Sequence, residues 1–254
     1  MAEAFRDTRV VVTGAAGGIG SALCHRFAAE GAEVVAVDRD EAGLARLVRE
    51  TDAETVTVDL TDTEETMAAL GSLGPVDVLV NNAGVTALGP AGDIPPDAVE
   101  QVMAVNYLGS VNATHALLGS LVERRGRIAV MSSVAGFAPL VNRTAYSASK
   151  HALHGYFESL RAELAGSGVS VTMVCPTFAD TGIETRAVAR SEGGTGEWTT
   201  TGRHLSPEQV ADAVVDGLRK RKRLVLPGAT ARTAYWTWRV APGLYERLMR
   251  SRVK

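Results

Sequence analysis

Val10-Val11-Val12-Thr13-Gly14-Ala15-Ala16-Gly17-Gly18-Ile19-Gly20 is the stretch that decides the fold. Three consecutive β-branched residues mark a strand buried on both faces. A glycine-rich turn follows at once, and a helix runs on to about Glu30, with Gly31 as its C-cap. A second strand, 33–38, ends in Asp38. Strand, glycine turn, helix and strand make a βαβ unit whose helix N-terminus faces the turn. Backbone N–H groups there can hold a pyrophosphate, and glycines let it come close. Gly14, Ala16, Gly17, Gly18, Ile19 and Gly20 are therefore expected to line a dinucleotide site. A carboxylate at Asp38 can accept hydrogen bonds from an adenosine ribose diol, and it repels a 2′-phosphate. Arg39 beside it can pair with such a phosphate, yet the turn itself has no basic residue. The expected cofactor is NAD, with NADP less favoured.

The same alternation continues to residue 226. Strands are expected over 55–58, 76–80, 127–131, 169–174 and 224–226. Helices are expected over 40–50, 63–70, 95–124, 146–164 and 206–218. The pattern predicts one α/β domain: a doubly wound parallel sheet of about seven strands with helices on both faces. Two cysteines, Cys24 and Cys175, sit in apolar patterns, so a disulfide framework is excluded and reduced thiols are expected. The first residues lack an apolar signal-peptide core, and no run of eighteen apolar residues occurs. A cytoplasmic protein is expected. The five histidines are scattered, and no metal site is read.

Tyr146 and Lys150 stand four residues apart on an expected helix, so both side chains share one face. An ammonium beside a phenol favours the phenolate, so the tyrosine pKa is expected to fall from about 10 toward working pH. Such a tyrosine can take a proton from an alcohol or give one to a ketone.

Thr13-Gly14-x-x-x-Gly18-x-Gly20, Asn81-Asn82-Ala83-Gly84, Asn106, Ser133 and Tyr146-x-x-x-Lys150 together resemble the short-chain dehydrogenase/reductase family over about residues 8–226. The resemblance implies a Rossmann-type domain over 1–228, with a substrate lid over about 182–205. It implies Tyr146 as general acid/base, and Lys150 as the group that lowers its pKa and holds the nicotinamide ribose. Ser133, thirteen residues before Tyr146, would orient the substrate oxygen, and Asn106 would hold a water linking Lys150 to solvent. Asp59 and Leu60 would border the adenine. Asn82, Ala83 and Gly84 would pack near the adenosine ribose, with Pro176 and Thr181 at the nicotinamide and Thr181 on its carboxamide. Asn81 is read as satisfying backbone groups between strands. The expected reaction is NAD(H)-dependent interconversion of a secondary alcohol and a ketone, in a homodimer or homotetramer paired through the two long helices. One departure stands out: the family reads Pro-Gly where this chain has Pro176-Thr177. Threonine lacks glycine's freedom at positive φ, which puts the loop and its Thr181 contact in doubt.

The middle of the lid, 191–202, is rich in glycine and small polar residues, with Trp198 as its one large apolar group. Phe137, Pro139, Leu140 and Val141 are expected on the opposite wall. With no obvious arginine clamp, an apolar alcohol or ketone is the expected substrate. Charge divides unevenly. Residues 219–254 carry eleven Lys/Arg and one acid, a net of +10, and the remainder carries 15 against 28, a net of −13. The 229–254 extension is basic and aromatic. It can lie on an anionic membrane surface, or pack across a subunit interface or over the lid. The acidic body argues against nucleic acid. The competing reading is a weakly catalytic cofactor-binding protein, assembled or membrane-tethered through this tail.

Overall fold

A computed structural model describes residues 4–180, 182–191 and 204–251. The first half runs β1 (Arg9–Thr13), α1 (Gly18–Ala28), β2 (Glu33–Asp38), α2 (Glu41–Thr51), β3 (Glu54–Thr57), α3 (Thr63–Gly71), β4 (Val78–Asn81) and β5 (Ala87–Leu88). It continues with α4 (Pro96–Met103), α5 (Gly109–Glu123), β6 (Arg127–Met131), α6 (Thr144–Glu163), β7 (Ser170–Val174) and β8 (Ala189–Arg190). The chain then gives α7 (Pro207–Arg219), β9 (Leu224–Val225), α8 (Gly228–Val240) and α9 (Pro242–Arg250).

Seven strands form one sheet in the order β3-β2-β1-β4-β6-β7-β9, and every pair is parallel. Alternation along β1 explains its unbroken apolar run. Val10 and Val12 enter a core layer with Leu23, Phe27 and Val214. Val11 enters the opposite layer with Leu79, Leu117 and Phe157. Both faces are covered, so both sets of side chains must be apolar. The chain leaves β1 toward β2 and β3, then returns to β4 on the other side. That reversal opens a crevice at the C-terminal ends of β1 and β4, where such sheets bind ligands.

Four local expectations are corrected. The single helix over 95–124 is broken: a π turn, Ala104–Leu108, separates α4 from α5 and contains Asn106. Helix α1 ends at Ala28 with Ala29 as C-cap, and Gly31 (φ 79°) sits beyond it, donating to the Ala28 carbonyl. Helix α6 begins at Thr144, two residues before Tyr146. Strands β5 and β8 pair in parallel as a separate two-stranded ribbon, too short to show a period in the sequence. The described part of the C-terminal extension folds as α8 and α9, which pack on each other.

Candidate active site

The glycine turn is held by close approach rather than by side chains. Gly14 has φ 65°, and a Cβ there would stand 2.7 Å from the Ala83 Cα. A Cβ on Gly20 would stand 2.0 Å from the Gly14 carbonyl oxygen. Asn82 fastens the end of β4 to this turn: its amide side chain donates to the Thr13 and Gly14 carbonyls at 2.9 and 3.2 Å. Thr13 Oγ1 accepts from the Asn82 and Ala83 amides at 2.9 and 3.1 Å. Helix α1 starts at Gly17 with no side-chain cap and no acid in its first turn. Its leading N–H groups therefore face the cleft ready for an anion, as a bound pyrophosphate requires.

At the end of β2, Asp38 Oδ2 accepts from the Ala16 amide at 2.9 Å and Oδ1 from the Asp40 amide at 3.1 Å. Arg39 turns to Asp59 at 3.3 Å, and Asp59 also accepts from Thr61. Leu60 is buried beside them on the cleft wall.

Asn106 is wholly buried in the π turn. Its Oδ1 accepts from the Val85 amide at 2.7 Å, and its Nδ2 donates to the Val85 carbonyl at 3.0 Å and to Ser149 Oγ at 2.9 Å. The side chain thus pins the segment after β4 to α6. Gly84 follows suit: a Cβ there would lie 3.3 Å from Asn106 Oδ1 and 3.6 Å from Lys150 Nζ. Asn81 departs from its expected role. Its Nδ2 donates to Thr114 Oγ1 at 2.9 Å rather than to backbone, and its Oδ1 is buried without a partner.

Ser133 caps a 3₁₀ turn, Val134–Gly136, and accepts from the Ala135 amide at 3.1 Å. Its hydroxyl also hydrogen-bonds the Tyr146 phenol. Ser132 is buried and points the other way, toward the Lys150 carbonyl at 3.5 Å and Cys175. The spacing argument for Ser133 over Ser132 thus has a geometric counterpart. Lys150 is buried, donates to the Met131 carbonyl at 2.7 Å, and stands 5.5 Å from the centroid of the Tyr146 ring.

The expected fall in the tyrosine pKa is not what this arrangement produces. Burial pushes the Tyr146 phenol up, with the Ser133 hydrogen bond and the Arg143 charge opposing. Burial pushes Lys150 down from 10.5 to about 8. Desolvation outweighs the pairwise attraction that the four-residue spacing suggested. Behind the site, the Cys175 thiol is pushed up to about 12 by burial, which keeps it protonated and unreactive.

Tyr146, Lys150, Ser133, Asp38 and the glycine turn face one cleft of about 710 Å³. Pro176 and Thr177 line it as well. Thr177 is not among the residues at positive φ, so replacing the family's glycine costs no backbone strain. Thr181 and lid residues 192–203, including Trp198, lie outside the described residues. The opposite wall differs from expectation. Of the four residues assigned to it only Leu140 lines the cleft, and Phe137 packs edge-on against Tyr235 of α8 at 5.2 Å. The tail itself closes that side through Thr230, Thr233, Thr237, Tyr245 and Leu248.

Two further arginines near the cleft, beyond Arg39, were not legible from the sequence. Arg143, 6% exposed, lines the cleft three residues before Tyr146 and pairs with Glu184 of the lid. Arg186, also in the lid, reaches back over the glycine turn. No periodicity or motif marks either residue. Among the described residues there is no group of three or more His, Cys, Asp or Glu that could hold a metal.

The comparisons agree with this geometry. The short chain dehydrogenase family model matches residues 8–192. The Bos taurus protein named dehydrogenase/reductase SDR family member 7B is 37% identical over 267 residues, spanning 98% of this chain and 82% of the relative. A short chain dehydrogenase from Burkholderia cenocepacia J2315, solved with NADP, superposes with a TM-score of 0.84 at 26% identity, covering 97% of this chain and 98% of that one. A family member from Burkholderia phymatum, solved with NAD, gives 0.78 at 28% identity, covering 93% and 95%. This chain belongs to the short-chain dehydrogenase/reductase family, a family of oxidoreductases.

Proposed function

We propose that this protein is an NAD(H)-dependent oxidoreductase that interconverts a secondary alcohol and a ketone on an apolar small molecule. The observation that carries the reading is the Tyr146 phenol, hydrogen-bonded by Ser133, in the same cleft as the glycine turn and Lys150. A bound nicotinamide would supply hydride transfer. The chain's own residues do the rest. Ser133 orients the substrate oxygen, and Tyr146 gives or takes the proton at that oxygen. Lys150 places a cation beside the phenol, and Asn106 positions the Gly84–Val85 backbone against it. Arg143, three residues before Tyr146, is paired with Glu184, which supports an uncharged substrate.

Asp38 supports NAD over NADP. Two backbone amides fix its carboxylate at the end of β2, and Arg39 is drawn away to Asp59. The test is absorbance at the reduced-nicotinamide band with a panel of apolar secondary alcohols. NAD is expected to be reduced with kcat/KM at least about tenfold above NADP, the effect of one charge repulsion close to a phosphate. A preference for NADP would overturn the cofactor assignment. The competing reading, a weakly catalytic binding protein, would require that no alcohol or ketone turn over although cofactor binds. The meeting of Ser133, Tyr146 and Lys150 in one cleft, with Asn106 buried behind them, speaks against it.

The long helices α5 and α6 carry the family's pairing surface, and a homodimer or homotetramer fits this reading. For location we propose a cytoplasmic protein that touches anionic membranes through its tail. The inner face of α8 and α9 lines the cleft, while Trp236 (62% exposed), Val240 and Leu244 face outward among Arg232, Arg239 and Arg247. No described helix is long and apolar enough to cross a membrane. Sedimentation with phosphatidylglycerol vesicles, but not with phosphatidylcholine alone, is expected at low salt. Trp236→Ser with Val240→Ser should lower the bound fraction about fivefold. Equal sedimentation of wild type and variant would remove the membrane assignment.

A further inference from the structure

Helix α6, which carries Tyr146, opens on a buried cation. Arg143 is its N-cap, 6% exposed, and no acid stands in the first turn of the helix. A helix N-terminus already carries partial positive charge, so a guanidinium there meets an unfavourable dipole as well as desolvation. The compensating charge comes from outside the helix. Glu184 pairs with Arg143, and among the described residues it is the one carboxylate that does. The arginine side chain is 7% exposed and the glutamate 37%, so the cation is the enclosed partner and the carboxylate the accessible one. The guanidinium also donates to Thr86 Oγ1 at 3.5 Å.

Neighbouring contacts fix this pair at the substrate side of the cleft. Glu184 belongs to the 182–191 segment, where Arg190 Nη2 donates to the Glu184 carbonyl at 2.7 Å. That segment is tied to the body by the pairing of β8 with β5 and by the Val188 amide, which donates to the Thr86 carbonyl at 2.9 Å. The Gly89 amide donates to the Asn142 carbonyl at 3.1 Å, and Asn142, at φ 60°, turns the chain into α6.

Arg143 and Tyr146 stand three residues apart, the spacing of neighbours on a helix surface, and both line the cleft. Around the phenol, Ser133 bonds its oxygen and the buried Cys175 thiol stays protonated. Lys150 stands at the ring, 5.5 Å from its centroid, with Nζ donating to the Met131 carbonyl. The charge that opposes burial of the phenol is that of Arg143.

We propose that Arg143 is a positioning residue for the reaction, the electrostatic partner of the Tyr146 phenolate, and that Glu184 of the 182–191 segment sets how much of its charge the phenol feels. This rests on the acid/base reading of Tyr146 above. Arg143 acts through Tyr146 rather than on a reacting atom. The screening carboxylate is carried by the segment on the substrate side, so the placement of that segment and the proton affinity of the phenol are coupled.

The experiment is ultraviolet titration of the phenol in the full chain, taken as the difference between each protein and its Tyr146→Phe counterpart, which isolates one tyrosine of five. It needs no substrate. Glu184→Gln keeps the shape and removes the screening charge, and is expected to move the Tyr146 midpoint down by about one pH unit, the scale of one partly screened charge nearby. Arg143→Met should move it up, and Arg143→Lys, which keeps the charge, should bring it back toward wild type. The pH profile of alcohol oxidation should shift in the same directions. An unmoved midpoint in Glu184→Gln would leave the pair a structural tie and overturn the proposal. An upward shift in that variant would overturn it too, because the carboxylate would then hold the guanidinium in place rather than screen it. Should Arg143→Met fail to fold, Glu184→Gln and Arg143→Lys still decide the matter. If the midpoints move but Tyr146→Phe turns over like wild type, the acid/base reading falls and the role of Arg143 with it. If that variant is inactive and the midpoints stay, only the Arg143 proposal falls.

Discussion

Tyr146→Phe is expected to lower kcat about a thousandfold while the Kd for NADH stays within about twofold, the span assigned to a positioned general acid/base. The substitution removes one oxygen and keeps the ring, so the stacking of Lys150 against it at 5.5 Å and the packing of α6 survive. On the proposed mechanism, what is lost is the proton carrier at the substrate oxygen. The direction of the pKa shifts adds a second readout. Burial holds the phenol protonated above its ordinary value, so at neutral pH Tyr146 is poised as an acid. Ketone reduction should therefore run well at pH 7 and fall as pH rises. Alcohol oxidation needs the phenolate and should climb with pH over the same range. Lys150, pushed down to about 8, loses its charge within that window, so the oxidation profile should flatten as the ammonium that supports the phenolate disappears. Stopped-assay rates in both directions from pH 6 to 10 would show this. A variant that keeps turnover within tenfold of wild type would remove Tyr146 from the chemistry.

Much of this site was legible because its parts follow from backbone rules. Val10, Val11 and Val12 read as a doubly buried strand, and they divide between two core layers as that reading requires. The glycines after them read as a turn that backbone must approach, and the distances at Gly14 and Gly20 give the reason. Tyr146 and Lys150 read as neighbours on one helix face, which they are. What failed was the inference from neighbourhood to charge. Spacing reports which groups meet, whereas the pKa of each depends on how much water the whole fold removes, and the sequence does not show that. The π turn at Asn106 was hidden for a similar reason. Its local pattern is helical, and the extra residue per turn is set by the long-range bonds to Val85 and Ser149. Arg143 and Arg186 lie in irregular segments, where no period says which way a side chain points. The tail reads as basic and aromatic, and its two helices are not marked in the sequence. Which face of it closes the cleft, through Thr230, Thr233 and Thr237, is set by packing that the sequence does not show.

Lys150→Met is expected to abolish most turnover and, at the same time, to change how stability depends on pH. Lys150 is 4% exposed, and its ammonium is held there against desolvation, with Cys175 opposing only weakly. Its pKa is lowered on folding from 10.5 to about 8. Between those values the unfolded chain binds more protons than the folded one, so stability rises with pH across the window. Below about 8 the full cost of burying the charge is present, and above 10.5 the amine is neutral in both states and the cost is gone. A shift of this size corresponds to about 3 kcal/mol. The methionine variant has no such titration. The stability of wild type relative to Lys150→Met should therefore climb by about 3 kcal/mol between pH 7.5 and 10.5. Groups common to both proteins cancel in that difference, and the bond from Nζ to the Met131 carbonyl adds a roughly constant offset. Urea unfolding of both proteins across this range measures it. A difference that stays flat with pH would mean that the ammonium is solvated, and the account of how burial tunes this site would fall with it. A rising difference would mean that the fold carries a buried cation at a cost to its own stability below pH 8. Such a penalty, carried beside a phenol and a glycine-lined cleft, would support the proposed role of Lys150 toward the proton on Tyr146.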